Sequence, residues 1–486
     1  MTMTVRDTFL IGGEWRKPDA QQPVTVISPS TGKAVGQVPE AGPAEVDAAV
    51  AAARRAFDAG PWPGMPVEER ATVLERALAY LEPELDDIAD LVTAEMGLPT
   101  TIARQKIPAA LSAGRYFLDV ARSLPVSEVR QTPFGPTAVL REPVGVVASI
   151  APWNGPFNMA VAKIIPALVT GCCVVYKPAP ETPLDVYFLA EALDRAGLPP
   201  GVFNLVTGGR ETGSALVAHP GVDKVSFTGS TAAGRQIARE CGGRFARLQL
   251  ELGGKSAAIV LDDADPGTVM RGIAAGLFAN TGQTCSAFSR ILVPAAQRER
   301  WTDVVVSTAE SFVIGDPFDP ATTMGPLVSR AQRDRVLGYV DTGRAEGATV
   351  ATGGGVPQGL EQGWFVEPTV FTGADNSLRI AREEIFGPVA TVLTYDSVDE
   401  AVAIANDSPY GLHGAVFTED PQAAARVARS VRTGTFSVNS FTHNPFAPFG
   451  GVKDSGVGRE LGPEGIQAFH ELKTVNLTPA TEHLFA

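Results

Sequence analysis

The chain has 486 residues, of which 44% are hydrophobic and 19% charged, as is ordinary for a globular protein of several domains. Its 40 Lys and Arg residues against 54 Asp and Glu residues give a formal net charge of −14. An acidic chain with no basic run argues against binding to nucleic acid or to anionic membranes. Four cysteines are too few for a disulfide framework, and five histidines without a zinc-binding spacing argue against a metal site.

The N-terminal sequence predicts no targeting segment. The apolar run at residues 9–11 ends at Gly12, far short of a signal-peptide core. The longest mainly apolar stretch, residues 164–176, contains Pro166 and Gly171 and is shorter than the roughly 20 helical residues that span a bilayer. We therefore predict a cytoplasmic protein without a membrane span.

In chain order, the first predicted elements are helices, over residues 46–57 and 66–88, and the first part of the chain is predicted to be mostly helical. From residue 144 onward, short apolar runs alternate with helical patterns. The predicted strands are residues 144–150, 172–176, 202–206, 224–228 and 247–250, with helices near 159–168, 183–196, 211–217 and 232–241. This alternation is typical of a doubly wound α/β fold, which binds ligands at the C-terminal ends of its parallel strands. A second run of similar pattern begins at residues 257–261.

Two segments, residues 131–143 and 472–478, fit neither run. The first is strand-like but punctuated by proline, and the second alternates apolar and polar residues as a strand does. An exposed strand is an edge that must be paired or covered. We therefore predict that the two segments pair with each other and with another subunit.

Four clusters of small and polar residues are candidates for a functional site. They are Ala151-Pro152-Trp153-Asn154, the turn that begins Phe227-Thr228-Gly229-Ser230, Glu251-Leu252-Gly253-Gly254-Lys255, and Gly282-Gln283-Thr284-Cys285. The turn at Gly229 and Ser230 joins a strand to a helix, and a helix N-terminus is suited to binding phosphate. It lacks the Gly-x-Gly-x-x-Gly fingerprint, so an ordinary strand-to-helix turn remains the alternative.

Cys285 is the candidate nucleophile, because its neighbours are small or polar, as access to a reactive thiolate requires. A lone cysteine is more often a small buried hydrophobe, and Cys172 and Cys173 fit that alternative. Glu251 follows an apolar strand and suits a general base, although an isolated glutamate is usually a surface acid. Asn154 suits an amide donor to an oxyanion, although asparagine is also common in turns.

Together the clusters resemble the aldehyde dehydrogenase superfamily over nearly the whole chain. Further motifs in that family's order are Phe9-Leu10-Ile11-Gly12-Gly13-Glu14-Trp15, Lys177-Pro178, Glu383-Glu384-Ile385-Phe386-Gly387-Pro388, Pro448-Phe449-Gly450-Gly451 and Ser455-Gly456-Val457-Gly458-Arg459-Glu460. The resemblance implies a Rossmann-like cofactor domain (residues 1–128 and 144–251) and an α/β catalytic domain (252–462). It also implies a small β-strand flap for oligomerisation (129–143 and 463–486), in a homodimer or homotetramer.

The resemblance implies oxidation of an aldehyde to a carboxylic acid with NAD(P)+ and water. Cys285 would form a thiohemiacetal, whose oxyanion the Asn154 amide and the Cys285 backbone N–H would hold. After hydride transfer, Glu251 would activate the water that hydrolyses the thioester. Lys163 would support the site near the oxyanion and the cofactor.

The resemblance also implies a set of cofactor contacts. They are Ile150, Trp153, Lys177, Gly213, Gly229, Ser230, Leu252, Glu384 and Phe386. Many family members carry a glutamate three residues after the lysine that matches Lys177, where it bonds the adenosine ribose. Here that position is Pro180, with Glu181 next. We expect NAD to be preferred, with some tolerance of NADP.

The expected substrate tunnel is lined by Gly155, Met159, Ala162, Ala279 and Phe449. Related enzymes for small aldehydes often carry bulky aromatic residues at the positions of Gly155, Ala162 and Ala279. The motif positions also supply no Arg or Lys for an ionic tail. We therefore expect a bulky hydrophobic aldehyde of terpenoid, aromatic or medium- to long-chain type.

Two other functions compete with this interpretation. A CoA-acylating aldehyde dehydrogenase passes its thioester to CoA, but that group typically lacks the hydrolytic glutamate that Glu251 matches. A non-catalytic structural or binding relative has no need to keep Cys285, Glu251 and Asn154 together.

Overall fold

The structure is a computed structural model that describes residues 3–18 and 23–485. Its helices are α1 (Pro43–Ala59), α2 (Val67–Leu81), α3 (Leu85–Met96), α4 (Thr100–Ser123), α5 (Pro156–Val169), α6 (Val186–Arg195), α7 (Arg210–Ala218), α8 (Thr231–Gly242), α9 (Pro266–Ile273), α10 (Arg298–Glu310), α11 (Arg330–Ala345), α12 (Arg379–Arg382), α13 (Val398–Asn406), α14 (Pro421–Ser430) and α15 (Gly462–Gln467). None of the helices in these ranges is both long enough and apolar enough to cross a membrane.

The strands form four sheets. They are β1 (Thr4–Val5), β2 (Phe9–Ile11), β3 (Glu14–Arg16), β4 (Val24–Ile27), β5 (Ala34–Val38), β6 (Ser127–Thr132), β7 (Gly135–Pro143), β8 (Val146–Ile150), β9 (Cys173–Lys177), β10 (Phe203–Leu205), β11 (Lys224–Thr228), β12 (Arg247–Glu251), β13 (Ala257–Val260), β14 (Arg290–Pro294), β15 (Thr349–Thr352), β16 (Thr369–Thr372), β17 (Val389–Tyr395), β18 (Gly414–Phe417), β19 (Ser437–Val438), β20 (Gly456–Val457) and β21 (His470–Asn476).

The first large sheet has the order β20-β12-β11-β8-β9-β10-β2-β3, and its five central strands, β12 to β10, are parallel. Among these five strands, β8 comes first in the chain. The chain then moves outward through β9 and β10 and returns to the other side of β8 for β11 and β12. The strand order therefore reverses between β8 and β11, which is where a doubly wound sheet opens a ligand crevice. The predicted fold class is confirmed.

Residue type explains this arrangement. Strands β8 and β9 are buried along their whole length, as expected for parallel strands covered on both faces. Helix α5 starts at Pro156, where the missing N–H of proline is tolerated, and packs against α4. Because α5 is apolar on most of its surface, it lies inside the protein with only part of one face open.

The second large sheet has the order β15-β16-β17-β14-β13-β18-β19, and all its strands except β15 run parallel. Strand β13 starts six residues after Glu251, so the Leu252–Ser256 segment crosses directly from the first large sheet to the second. The residues that follow Glu251 therefore link the two large sheets.

The third sheet, β21-β7-β6, joins the two segments that fit neither run. Strand β21 pairs antiparallel with β7, with Leu472 opposite Arg141 and Val475 opposite Ala138. The predicted pairing of these segments with each other is confirmed. We call this sheet the flap.

The prediction of a mostly helical first part misses the five strands between Thr4 and Val38. These strands are two to five residues long. One of them, β2, pairs with β10, far along the chain, through Leu10 and Leu205. Runs this short show no clear period, and tertiary pairing decides their structure.

Candidate active site

The ends of four neighbouring strands bring the candidate residues to one edge of the first large sheet. Ile150 at the end of β8 is in register with Lys177 at the end of β9 and with Phe227 of β11. Thr228 at the end of β11 is in register with Glu251 at the end of β12. Parallel strands finish at a common edge, so the loops that follow each of them meet at the crevice.

The loop before Cys285 is fixed to the loop after β8. The Asn154 side-chain amide donates to the Gln283 carbonyl oxygen at 2.9 Å, and the Asn280 amide donates to the Asn154 carbonyl oxygen at 3.0 Å. Asn280 and Thr281 have φ values of 54° and 56°, which are costly for residues with a side chain. The hydrogen bonds hold this strained backbone and with it the direction in which Cys285 points.

Cys285 lies at the crevice with its side chain partly exposed. Burial, together with the carboxylates of Glu384 and Glu251, raises the pKa of its thiol to about 12. The thiol is therefore protonated at neutral pH when the crevice contains the protein alone. Its attack on a carbonyl requires a group that takes the proton.

Glu251 is 2% exposed, and neither carboxylate oxygen has a hydrogen-bond partner among the described residues. Burial first, and then the neighbouring Glu460, raise the pKa of Glu251 well above its usual range, whereas Lys163 and Arg459 oppose the shift. A carboxylate with a raised pKa is a stronger base once it is ionised. Both unpaired oxygens are free to accept a proton from a thiol or from water.

Lys163 is buried and its ammonium pairs with Glu460 at 2.5 Å while it donates to the Ser226 hydroxyl at 3.1 Å. Its nearest partners are therefore a carboxylate that acts on Glu251 and a side chain of β11. The resemblance places Lys163 in the site, but the motif that contains Glu460 does not reveal it as a second buried acid, because the residue lies 209 positions after Glu251.

The turn after β11 fits the phosphate end of a dinucleotide. Ser230 caps α8, and its hydroxyl accepts from the backbone N–H of Ala233 at 3.3 Å. A side chain at Gly234 would collide with Leu252, so this glycine lets α8 approach the sheet closely. The first-turn N–H groups of α8 therefore lie where the strand order reverses between β8 and β11. A helix N-terminus at this place favours the binding of an anion such as phosphate.

Lys177 lies further along the same edge. Its ammonium donates to the carbonyl oxygens of Pro178 (2.8 Å) and Gly208 (2.7 Å), and burial lowers its pKa to about 8. Glu181 and Glu40 partly offset that shift. A Cβ at Gly213 would lie 3.2 Å from the Lys177 side chain, so glycine here leaves space beside the lysine.

Two groups from the second half of the chain close the crevice. Glu384 accepts a hydrogen bond from the Gly254 backbone N–H at 3.0 Å, and burial raises its pKa to about 7. Phe386, in a left-handed backbone conformation with φ 62°, meets Trp153 edge to face at 5.3 Å. An acceptor and an apolar wall beside Cys285 fit the ribose and nicotinamide end of NAD(P).

The predicted tunnel residues on α5 share one half-buried face. Gly155 precedes the helix, and Met159 and Ala162 follow at helical spacing. A Cβ added at Gly155 would meet no heavy atom within 4 Å, so its missing side chain leaves open space. Ala279 and Phe449 are also half-buried.

Two residues near this face, His443 and Lys106, belong to none of the recognised motifs, so they were not among the predicted site residues. His443 shares a hydrogen bond of 3.0 Å with the hydroxyl of Ser286, the residue next to Cys285. The packed surroundings of the ring and the charge of Lys106 on α4 lower the pKa of His443, although the residue as a whole is exposed. Lys106 lies on a helix that no motif marked, so the prediction that the motif positions supply no Arg or Lys does not cover it.

Comparison with known proteins agrees with this geometry. The family model described as the aldehyde dehydrogenase family matches residues 15–475. The geranial dehydrogenase of Castellaniella defragrans is 46% identical over 98% of this chain and 100% of its own length. The 3-succinoylsemialdehyde-pyridine dehydrogenase of a Pseudomonas species is 43% identical over 96% of this chain and 98% of its own length.

A solved structure shows the same fold. The aldehyde dehydrogenase of Mycobacterium tuberculosis, complexed with NAD+, superposes with a TM-score of 0.96 at 45% identity, covering 98% of this chain and 99% of that chain. The resemblance that the motifs indicated is confirmed. The chain belongs to the aldehyde dehydrogenase family and is an oxidoreductase of the aldehyde group, with the NAD(P) dependence that characterises that family.

Proposed function

We propose that Cys285, Asn154 and Glu251 carry out the oxidation of a bulky hydrophobic aldehyde to its carboxylic acid. The observation that carries this proposal is the meeting of the three residues at one crevice, with Asn154 tied by hydrogen bonds to the loop that presents Cys285. Bound NAD+ supplies the acceptor for the hydride that leaves the substrate.

Cys285 is the nucleophile in this proposal. Its sulfur attacks the aldehyde carbon while the thiol proton passes to Glu251, whose raised pKa and two unpaired oxygens suit it to accept that proton. The oxyanion that forms receives hydrogen bonds from the Asn154 amide and the Cys285 backbone N–H. Its collapse expels a hydride and leaves a thioester on Cys285.

Glu251 is also the base for hydrolysis. After losing the thiol proton to solvent, its carboxylate removes a proton from water, whose oxygen attacks the thioester carbonyl. The carbon–sulfur bond then breaks to release the acid, and the departing thiolate takes that proton from Glu251. The buried Lys163–Glu460 pair lies within electrostatic reach of Glu251 and adjusts its pKa. We assign Lys163 and Glu460 as positioning residues for this step.

The cofactor contacts follow from the groups at the strand edge. The α8 N-terminus with Gly229 and Ser230 would hold the pyrophosphate, and Lys177 would hold the adenosine ribose. Glu384 would hold the nicotinamide ribose, and Phe386 would close the nicotinamide end. The remaining predicted contacts are Ile150, Trp153, Gly213 and Leu252. The proposed cofactor is NAD, with NADP tolerated.

The open space at Gly155 supports a large apolar substrate. Met159, Ala162, Ala279 and Phe449 add apolar walls, and each buried methylene contributes about 0.8 kcal/mol of transfer free energy. The similarity to a protein named geranial dehydrogenase favours a terpenoid or comparably long aldehyde.

The flap supports oligomerisation. Phe134 at the tip of the β6–β7 turn is fully exposed, and Leu472 on the edge strand β21 is 69% exposed. Apolar groups beside an open strand edge are costly in water and are covered by pairing with another chain. We propose a cytoplasmic homodimer or homotetramer in which each flap meets another subunit.

The test is NADH production from a panel of acetaldehyde, octanal, geranial and succinate semialdehyde, with and without CoA. We expect the highest kcat/KM for geranial or octanal, acid as the product and no stimulation by CoA. A Cys285→Ala variant should lose oxidation yet retain NAD+ binding.

Acyl-CoA as the product would show the CoA-acylating function, and no NADH from any aldehyde would favour a non-catalytic relative. Acetaldehyde or succinate semialdehyde as the best substrate would contradict the wide tunnel.

A further inference from the structure

A polar pair lies inside the apolar wall near Cys285. Ser286 is fully buried and directly follows Cys285, and its hydroxyl meets the Nε2 atom of His443 at 3.0 Å. This bond ties the His443 ring to the residue that directly follows the nucleophile. The ring belongs to a segment that also carries Phe449, one of the predicted tunnel residues.

Aromatic rings surround this imidazole. Phe441 meets it edge to face at 5.1 Å, and Phe449 lies at 5.2 Å from it. Gly155, Met159 and Ala162, the tunnel residues predicted at α5, carry no hydrogen-bonding side chain. A hydrogen-bonding ring among apolar side chains favours a ligand that offers it a polar partner, by the modest free energy of one neutral hydrogen bond.

The Ser286 contact leaves one ring atom of His443 open. The side chain is exposed, and its Nδ1 atom makes no hydrogen bond with any described residue. An imidazole with its ordinary pKa is mostly neutral at physiological pH, and the charge of Lys106 favours the neutral form further. A neutral imidazole has one N–H and one lone pair, so Nδ1 donates if Ser286 donates to Nε2 and accepts if Nε2 donates to Ser286.

We propose that His443 is a specificity-determining residue that hydrogen-bonds an uncharged polar group on the body of the aldehyde, with Ser286 fixing its ring. This inference rests on the proposed function and narrows its substrate class. The preferred aldehyde is bulky and mainly apolar but carries a hydroxyl, a carbonyl oxygen or a ring nitrogen away from the reacting carbon. An aldehyde of the same size with a purely hydrocarbon body would be disfavoured only weakly, because the difference in binding is a single neutral hydrogen bond.

The experiment compares para-substituted benzaldehydes of similar size. The substituents are isopropyl (apolar), acetyl (acceptor), hydroxymethyl (donor and acceptor) and carboxylate (anion). For each enzyme, kcat/KM for a polar aldehyde is divided by kcat/KM for the isopropyl compound, so that differences in overall activity or folding cancel. We expect His443→Phe to lower this ratio about 5–10-fold for the acetyl or hydroxymethyl compound relative to the unmodified enzyme.

Three further variants separate recognition from structure. Ser286→Ala should lower the ratio less than His443→Phe, because the ring persists but turns freely. His443→Gln, which retains a donor and an acceptor, should restore part of the ratio. A remote histidine provides the control: His219→Phe, at a site paired with Asp47, should leave the ratio unchanged.

An unchanged ratio in His443→Phe, with the aldehydes still oxidised, would overturn this inference and leave the proposed function intact. A ratio highest for the carboxylate compound and insensitive to His443 would also overturn it, and would point to Lys106 as the recognising group. Failure of the unmodified enzyme to oxidise any aldehyde would instead contradict the proposed function.

Discussion

The Asn154 side-chain amide donates to the carbonyl oxygen of Gln283 across 2.9 Å, which ties the end of β8 to the loop that carries Cys285. An amide nitrogen has two N–H groups, so this bond leaves the second one for another acceptor. One side chain therefore holds the nucleophile loop in place and keeps a donor available beside it. Its removal should affect both geometry and charge stabilisation.

We predict that Asn154→Ala lowers kcat by about 10²–10³, the usual cost of removing one oxyanion donor. The loss should appear in the rate of NADH formation in a single turnover, since acylation is the step that builds the oxyanion. Asn280→Ala is the matched control, because Asn280 donates to the Asn154 and Gln283 carbonyl oxygens without a role in the oxyanion. A change in kcat of less than about threefold in Asn154→Ala would remove the residue from the mechanism.

We predict that Glu251→Gln impairs hydrolysis of the thioester more than its formation. In the variant the partly exposed Cys285 thiol can still lose its proton to solvent, whereas the amide cannot accept a proton from the attacking water, so the acyl-enzyme should accumulate. Rapid mixing should show a burst of NADH close to one per active site, followed by a slow steady state. Mass spectrometry of the quenched enzyme should find the acyl group on Cys285. A steady-state rate equal to that of the unmodified enzyme would contradict the assignment.

Much of the site follows from sequence because its residues lie in local motifs. Strand, turn and helix succeed each other within a few residues around Asn154 and Ser230, and Glu251 ends a strand, so local pattern is enough to bring them to one sheet edge. Local sequence pattern does not predict contacts between residues that are far apart in the chain. The Ser286–His443 bond joins residues 157 positions apart, and no periodicity marks either one.

The same reasoning explains the short N-terminal strands and the second buried acid. A strand of three residues such as β2 is stabilised by its partner β10 and not by its own pattern. Glu460 belongs to a recognised motif, but its position beside Lys163 and its effect on Glu251 depend on how β20 returns to the first large sheet.

The pH dependence of hydrolysis should reveal the electrostatics of Glu251. The base acts only when ionised, so a raised pKa moves the ascending limb of kcat to a higher pH than an ordinary glutamate would give. Glu460→Gln removes a like charge and frees Lys163 to act on Glu251, and both changes lower the Glu251 pKa. We therefore predict that the limb moves to lower pH in this variant, measured as steady-state kcat where hydrolysis limits the rate. A limb that stays in place or rises would contradict the coupling.

Cofactor choice should depend on the two carboxylates near Lys177. Glu181 and Glu40 both lie close enough to raise the pKa of Lys177, with Glu181 the stronger of the two. Either would repel the 2′-phosphate of NADP, and two units of phosphate charge about 8 Å from a carboxylate in water cost roughly 1 kcal/mol, or about fivefold in affinity. We predict that the unmodified enzyme prefers NAD and that Glu181→Gln improves NADP+ binding relative to NAD+ by about that factor, with a smaller effect from Glu40→Gln.

Dissociation constants from calorimetry provide the measurement, independently of turnover. Glu191→Gln, at a surface acid paired with Arg6, is the control and should not change the ratio. A preference for NADP in the unmodified enzyme, or no change in the ratio for Glu181→Gln, would show that other groups decide the selectivity.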